Sequence, residues 1–573
     1  MRVNEKINSF LGLNNLLDPS SAEYAEGQAY ICENARINSR GLWSPKPILS
    51  GSVQGYACGT GAGQRQMTLA GSSILATGIT CATEGQNGYI YYLSGGVLNR
   101  RTTTGATAVV AQADVAHTST ITGAQATITA TSRMQPGLYY YMITVYNDSI
   151  KRESLPSKIY EVEIDDTGTY NGVTLTFGTS GTYRIYRSKR TSTGDGVYNA
   201  PNVWYFLDDV TGTTYGDTRA DDELQTEYEG RGTVFLTPDY IVSYNERMLY
   251  FKGNNLWWSS SGQPEEVAQK YSVNFIKSGE TTGVTIKNTP KLYNGYGEAK
   301  KTIPELSGQT ITGSIVMDGK LWIFTNDMVG YIQQSNTGEG YIFKIHRRGV
   351  GAVSQFVLQS CEHGIFGFDS RGMWLLDNTT RITRLTDNRV DLSTFVFGST
   401  NYGVWCPNLN EYWMCQASGQ IVAYQANRDI FVGGYTALSG TAGCSWYSGS
   451  EAVGLIGTSK VTEPSNGSIS LTFYLGQSSP TTIKQRICVE AIQSEDDTMT
   501  LNIGAGASKS TITMESAAQS VDSNYPATVR KTTSYTGRMI KAVITLSCGT
   551  ATSGLSTINY KYEPLQWNEE SGR

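Results

Sequence analysis

The sequence predicts an all-β chain: a β-propeller interrupted by an inserted β-sandwich and followed by a C-terminal β-sandwich. Three observations predict it. The first is a hairpin pattern that recurs. Val316-Met317-Asp318-Gly319-Lys320-Leu321-Trp322-Ile323-Phe324 is an apolar run, an Asp-Gly turn and a second apolar run ending in aromatics. Asp-Gly favours the type I′ turn, in which both central residues need positive φ and whose twist matches that of the strands. The same pattern returns in Arg247 to Trp258, Ile365 to Leu376 and Glu411 to Tyr424, and more weakly in Tyr89 to Leu98. The second observation is spacing. Gly319, Gly372 and Gly419 fall about 50 residues apart, the length of a propeller blade. The third is composition. With 62 Gly, 36 Tyr and only 17% charged residues, the chain is turn-rich and strand-prone.

Taken in order, residues 1–50 read as an arm rather than a domain. Phe10-Leu11-Gly12-Leu13-Asn14-Asn15 leads to Asp18-Pro19, then Ala25-Glu26-Gly27-Gln28-Ala29, then Glu33-Asn34-Ala35-Arg36-Ile37-Asn38, and Gly41-Leu42-Trp43 closes the stretch. Glycine and proline stand where turns are wanted, so one or two strands are expected, with one short helix within Ser20 to Cys32. The arm holds too few apolar residues for a core of its own and is expected to pack on the body or on a neighbouring subunit. Residues 51–116 carry the first blade. Residues 117–225 form the inserted sandwich. Its strands, among them Gly137 to Tyr146, Val173 to Phe177, Tyr183 to Ser188 and Trp204 to Val210, follow one another at short spacing. The Tyr183-Arg184-Ile185-Tyr186-Arg187 strand and the closing Thr213-Thr214-Tyr215-Gly216-Asp217 resemble a fibronectin type III module. Residues 226–460 hold the remaining blades. Residues 461–573 read as the second sandwich and a polar tail, with Ser468 to Tyr474 and Lys541 to Leu546 alternating.

The opening of the chain (Phe-x-Gly-x-Asn, Asp-Pro, Glu-Gly-Gln-Ala, Asn-x-x-x-Asn, Gly-Leu-Trp) resembles the N-termini of bacteriophage tail proteins. It is most similar to the tail nozzle, or tail tubular, β-propeller proteins of short-tailed (podovirus) phages. Asn255-Leu256-Trp257-Trp258-Ser259-Ser260-Ser261-Gly262-Gln263-Pro264-Glu265 resembles a blade ending of the same class. The resemblance covers the arm and the blade strands, about half of the chain. Family members vary widely in length, so the inserted domains are not assigned by it. It implies a structural virion protein, a subunit of a hexameric ring below the portal and its adaptor, the head-to-tail connector. That ring forms the DNA exit channel and helps retain and then eject the genome. The implied partners are further copies of the chain, the adaptor, tail fibres or a plug, and genomic DNA that passes without sequence-specific binding. The implied location is the virion tail, with synthesis in the host cytoplasm.

Bulk composition narrows the function classes. At 573 residues the chain has room for about three or four domains. A net charge of −5 provides no global basic field for gripping nucleic acid, and an acidic channel lining would leave DNA free to slide. Nine cysteines are scattered with no CxxC pair, which predicts reduced thiols. The first residues lack the apolar stretch of a signal peptide, and no apolar run reaches the roughly 18 residues of a membrane span. The expectation is a cytoplasmically made chain with no membrane span.

Candidate chemistry is sparse. His117, His346 and His363 stand at no metal-ligand spacing from one another or from a Cys pair, so structural roles are expected. Residues 57–64 are Gly-rich but match no phosphate-loop spacing, and read as a loop. Ser494-Glu495-Asp496-Asp497 lacks the EF-hand positions and reads as a solvated turn. Asp369-Ser370-Arg371-Gly372-Met373-Trp374 is similar to the Asp-box of sialidases but has two residues between Asp and Gly where the box has one. Arg231, Arg247, Arg347-Arg348 and Lys300-Lys301 read as surface or interface residues. No catalytic, cofactor-binding or metal residue is assigned, and the chain is expected not to be an enzyme. The alternative is a carbohydrate-binding or glycan-degrading propeller, whose sugars would stack on some of the 36 Tyr and 10 Trp. Most of those aromatics occupy strand positions that core packing already explains.

Overall fold

In a computed structural model the chain is all-β and of propeller type, with sandwich modules added. The structure describes residues 3–565 apart from 8, 18, 20–23, 26, 39, 53–57, 62–63, 68–78, 103–105, 111–119, 129–133, 148–151, 155, 192–203, 225–236, 268–272, 277–283, 287–298, 336–339, 417, 436–437, 439–442, 449–450, 458, 464–466, 477–481, 494–497, 517, 522–527 and 549–553. Among these the only helical segments are short 3-10 turns. The chain divides into two compact units. One comprises Met1–Gly78, Thr312–Gly330 and His346–Arg573; the other comprises Ile79–Ile311 and Tyr331–Ile345.

The blade hairpins form as the sequence predicts. In the first unit, Gly313–Met317 pairs with Lys320–Phe324 through a turn in which Asp318 and Gly319 have φ of 52° and 69°. Both central residues are therefore left-handed, as a type I′ turn requires. Gln359–Cys361, Gly364–Asp369, Gly372–Asp377 and Ile382–Arg384 form a four-stranded antiparallel meander, the blade unit. Tyr402–Cys406, Glu411–Cys415, Ile421–Gln425 and Ile430–Tyr435 form the next. The hairpin aromatics stack from blade to blade. Phe324 lies on Trp374 with centroids 5.3 Å apart, and Phe366 lies on both Trp405, at 5.5 Å, and Tyr412, at 5.0 Å. Each such pair adds about 0.5–1.5 kcal/mol beyond its burial.

A further sheet is closed by the N-terminal segment. Gly443–Ser448, Glu451–Ile456 and Ser459–Thr462 take Ile48–Ser52 as their fourth strand, with Thr462 opposite Ile48. A domain limit at residue 50 would cut this strand.

The arm is woven into the C-terminal sandwich. One sheet runs Ala35–Ile37, Trp43–Pro45, Leu555–Pro564, Lys484–Gln493, Thr528–Thr533, with Val3–Ile7 also on Leu555–Pro564. The other holds Ala29–Glu33, Gly467–Leu475, Met539–Cys548 and Thr498–Gly506. Trp43, Phe473, Val489 and Ile544 share one buried core between them. Ala29–Glu33 is thus a strand, where a short helix was expected over Ser20 to Cys32, a stretch of which residues 20–23 and 26 lie outside the described residues. The partner strand Gly467–Leu475 offers it an antiparallel ladder, shifted in register between Ala29 and Ile31, and tertiary pairing overrides local preference. Gly12 shows why the arm needs glycine. Its φ is +83°, and a Cβ there would stand 2.6 Å from the Phe431 carbonyl oxygen. That carbonyl accepts the Leu13 amide at 2.8 Å.

The second unit contains the blade Ile79–Glu84, Ile90–Ser94, Val97–Arg101, Thr107–Val109. It also contains Tyr240–Tyr244, Arg247–Lys252, Asn255–Ser260 and Gln263–Val267, with Lys300–Thr302 paired to Asn255–Ser260. The inserted module is built on Gly172–Arg187, a strand whose register shifts between Thr176 and Gly181. Its first half pairs with Ile121–Ala126, its second with Gly137–Thr144, and Tyr205–Asp217 follows both. Tyr139, Tyr141, Val162, Leu175 and Ile185 fill its core. Val273–Ile276 extends the module in parallel to Ile159–Ile164.

Candidate functional site

Buried carboxylates are where chemistry would be sought first, because a charge withdrawn from water must be paired or neutralised. In the first unit Glu411 is fully buried. Arg36 of the arm donates from Nε to its Oε1 at 2.9 Å, and Gln425 Nε2 donates to the same oxygen at 3.0 Å. Trp413 Nε1, at 2.9 Å, and Tyr435 OH, at 3.1 Å, donate to Oε2. Burial works against the Arg36 charge, but Glu411 outweighs it and holds the guanidinium more firmly protonated than usual. Burial and the adjacent Glu411 push the Tyr435 hydroxyl and the Cys406 thiol well up. Arg36 and Tyr435 donate hydrogen bonds, and none of the three groups is poised to give up a proton.

Asp369, the acid of the box-like stretch, is 2% exposed. Arg384 grips both its oxygens, with Nη1 3.0 Å from Oδ1 and Nη2 2.5 Å from Oδ2. The Arg371 and Gly351 amides complete the set at 2.8 and 3.1 Å. Trp374 Nε1 donates to the Gly351 carbonyl at 2.8 Å. Asp369 braces the hairpin and its neighbouring loop, and its lone pairs are engaged.

The second unit repeats the design. Arg100 Nη1 lies 2.9 and 3.1 Å from the two oxygens of Glu265, which also accepts from Tyr91 OH at 2.9 Å. Burial, with Glu265 beside it, pushes the Tyr91 hydroxyl up. Glu266 accepts the Glu153 amide at 2.6 Å, and Glu153 accepts from Tyr186 OH at 2.7 Å and from Thr144. Inside the module, Asp217 accepts from Arg187 Nη1 at 2.7 Å and Tyr141 OH at 2.8 Å, while Arg187 Nη2 reaches Asp221 at 2.9 Å. Each cluster joins separate strands, a task that charge-assisted bonds do strongly and directionally.

The residues singled out in the sequence are dispersed. His346 meets Trp322 edge-on at 5.2 Å. His363 bonds Asn410 Oδ1 at 3.2 Å and lies edge-on to Trp405. Within 57–64, Cys58–Gly61 pairs antiparallel with Gln64–Met67, where a loop was expected, and residues 57, 62 and 63 lie outside the described residues. Arg247 Nη1 donates to the Ser259 carbonyl at 2.7 Å, and Lys300 and Lys301 are exposed on a strand. His117, Arg231 and Ser494 to Asp497 lie outside the described residues. Among the described residues no group of three His, Cys, Asp or Glu is placed to hold a metal, and no helix is long and apolar enough to cross a membrane. Sequence reasoning passed over Arg36, Glu265 and Glu411 as members of a site, although all three stand in stretches it quoted. Arg36 and Glu411 lie 375 positions apart, and nothing local links them.

No family model matches the chain, and no curated protein matches it. Among solved structures it is similar to BamB from Moraxella catarrhalis, at 9% identity over 75% of this chain and 96% of that one, with a TM-score of 0.29. It is similar to AztD from Citrobacter koseri at 10% identity, covering 71% and 98%, with a TM-score of 0.23. An exo-β-1,3-galactanase from Phanerochaete chrysosporium is similar at 8% identity, covering 89% and 100%, with a TM-score of 0.17. Likenesses this distant carry no argument about activity, and the fold description rests on the strand pairings themselves.

Proposed function

We propose that this chain is a structural protein rather than an enzyme: a subunit of the tail nozzle of a short-tailed phage. In this reading further copies close a ring, six by the resemblance, through heterologous contacts. The ring sits below the portal and adaptor, meets fibres or a plug, and lets the genome pass. It is made in the host cytoplasm and resides in the virion tail.

The observation that carries the reading is the arm. Several of the arm residues that resemble a tail-nozzle opening, or stand within it, hold positions the fold depends on. Gly12 permits close approach to the Phe431 carbonyl. Gln28 Oε1 accepts the Ala25 amide at 3.2 Å, and Asn38 Oδ1 accepts the Arg40 and Leu42 amides at 3.0 and 3.1 Å. Arg36 reaches Glu411, and Trp43 is fully buried. A pattern so tied to one architecture is what shared descent would preserve. The buried carboxylate clusters support the same reading, since they serve as joints. The test is native mass spectrometry with negative-stain imaging of the purified chain. A closed ring of six with a channel wide enough for a duplex is expected. A chain that stays monomeric at micromolar concentration, or a ring with no through-channel, overturns the proposal.

A further inference from the structure

Arginines from the end of one sheet's last strand and from two segments of another sheet come near one another in the first unit. Arg347 and Arg348 end the strand Tyr341–Arg348, and both are exposed. Arg347 Nη1 donates to the Ile382 carbonyl at 3.0 Å, which fixes it against the outer strand Ile382–Arg384. Arg371, also exposed, lies in the turn after Gly364–Asp369. A Cβ at Gly349, the residue after Arg348, would stand 3.2 Å from Arg371 Nη2. Arg384 Nη2 donates to the Gly349 carbonyl at 3.0 Å.

The charges do not cancel. Arg384 is neutralised by Asp369, whose oxygens are fully engaged. Two exposed carboxylates lie near in the fold: Asp327, whose carbonyl accepts the Gly349 amide at 2.6 Å, and Asp387, which follows the Thr386 whose hydroxyl a Cβ at Gly372 would meet. Asp377 stands farther along, beside Arg381, where Thr379 and the Arg381 amide engage it. Among the described residues Arg347, Arg348 and Arg371 make no ion pair.

We propose that Arg347, Arg348 and Arg371 form a binding surface for the phosphodiester backbone of a nucleic acid. Guanidinium forks match phosphate oxygens two at a time and are weakly hydrated, so they suit this ligand. The surroundings decide against a protein partner. The exposed residues that flank these arginines in sequence or strand pairing, Ser370, Arg381, Thr383 and Asp387, are polar or charged, without the aromatic or aliphatic anchor that a protein interface needs. Backbone contact of this kind carries no sequence preference. The inference deepens the tail-nozzle reading, on which its choice of nucleic acid rests, by naming residues that would touch the backbone.

The test is fluorescence anisotropy with the full chain and a labelled 20-base-pair duplex, titrated at 50 to 200 mM salt. Three phosphate contacts predict a log–log slope near −2.7, so affinity should fall about 40-fold over that range. R347A, R348A and R371A should each flatten the slope by about 0.9, whatever the duplex sequence. R486A, on an exposed residue of the C-terminal sandwich, should leave it unchanged. R347K, R348K and R371K guard against misfolding: they keep the slope and weaken binding. Absence of binding, or a slope that the three alanine variants leave intact, overturns the proposal. Poly-glutamate competing as well as nucleic acid at equal charge overturns the phosphodiester assignment. A ring that fails this test leaves the nozzle reading in place, and a monomer that passes it leaves the arginine surface in place.

Discussion

Glu411→Ala should be among the most damaging single substitutions in the chain. It removes the acceptor for four donors: Arg36, Gln425, Trp413 and Tyr435. Arg36 would keep Glu463, 3.4 Å away, but that side chain is 59% exposed and screens poorly for a buried cation. Breaking a buried pair from one side costs about 3–5 kcal/mol, mostly from the charge left behind. Individual unsatisfied donors cost about 1–3 kcal/mol each, but water entering the vacated space relieves several at once, so the terms do not sum. We expect a loss of about 4 kcal/mol. Arg36→Met with Glu411→Leu should recover the part due to the stranded charge, because an apolar pair leaves no charge uncompensated, while the Gln425, Trp413 and Tyr435 donors still lack their acceptor. The assay is equilibrium urea unfolding of the full chain, with the transitions of the two units fitted separately. Arm docking is followed alongside by limited proteolysis, since Arg36 belongs to the arm. A loss under about 1 kcal/mol for Glu411→Ala, or a double variant no better than the single, would refute the claim that this pair fastens the arm.

Two further outcomes are expected. Asp429 takes bonds from Arg389 and Tyr424, and the Arg389 bond leads in holding its carboxyl below the ordinary range, against some desolvation. A depressed folded-state pKa contributes stability above the unfolded value near 3.9, lost as pH falls through the folded one. Asp429→Asn should therefore cost a few tenths of a kcal/mol at pH 7, the pair being exposed, and nothing at pH 2; a difference that grows on acidification would contradict this. Burial pushes the thiols of Cys81 and Cys361 up to about 12 and those of Cys32, Cys406 and Cys415 up as well. These five should resist a thiol reagent at pH 8 in the folded chain, and all nine cysteines should react in denaturant without reductant. Rapid labelling of native Cys81, or protected thiols in denaturant, would count against that reading.

What could be read in the sequence is what neighbouring residues decide among themselves. Asp318-Gly319 announces a hairpin because two adjacent residues must both take positive φ, and they do. The aromatics after such turns announce a core because they alternate, and Phe324, Trp374, Phe366 and Trp405 stack accordingly. What could not be read is which distant segments meet. Ile48–Ser52 closes a sheet of Gly443 to Thr462, and Val273–Ile276 joins a module that ends some fifty residues earlier in sequence terms. The pairing register in such cases is set by the partner strand's side chains, which the local sequence does not contain. Charge follows the same rule. The net −5 suggested an acidic surface for sliding DNA, yet a sum over the chain says nothing about place. Arg36, Arg100, Arg187 and Arg384 are spent on buried acids and contribute nothing to the field outside. Arg347, Arg348 and Arg371 are left exposed, and Arg371 reaches the Gly349 that follows the other two, so an acidic chain still carries a positive edge. The position of that edge, and not the total, decides where a polyanion would be held or let go.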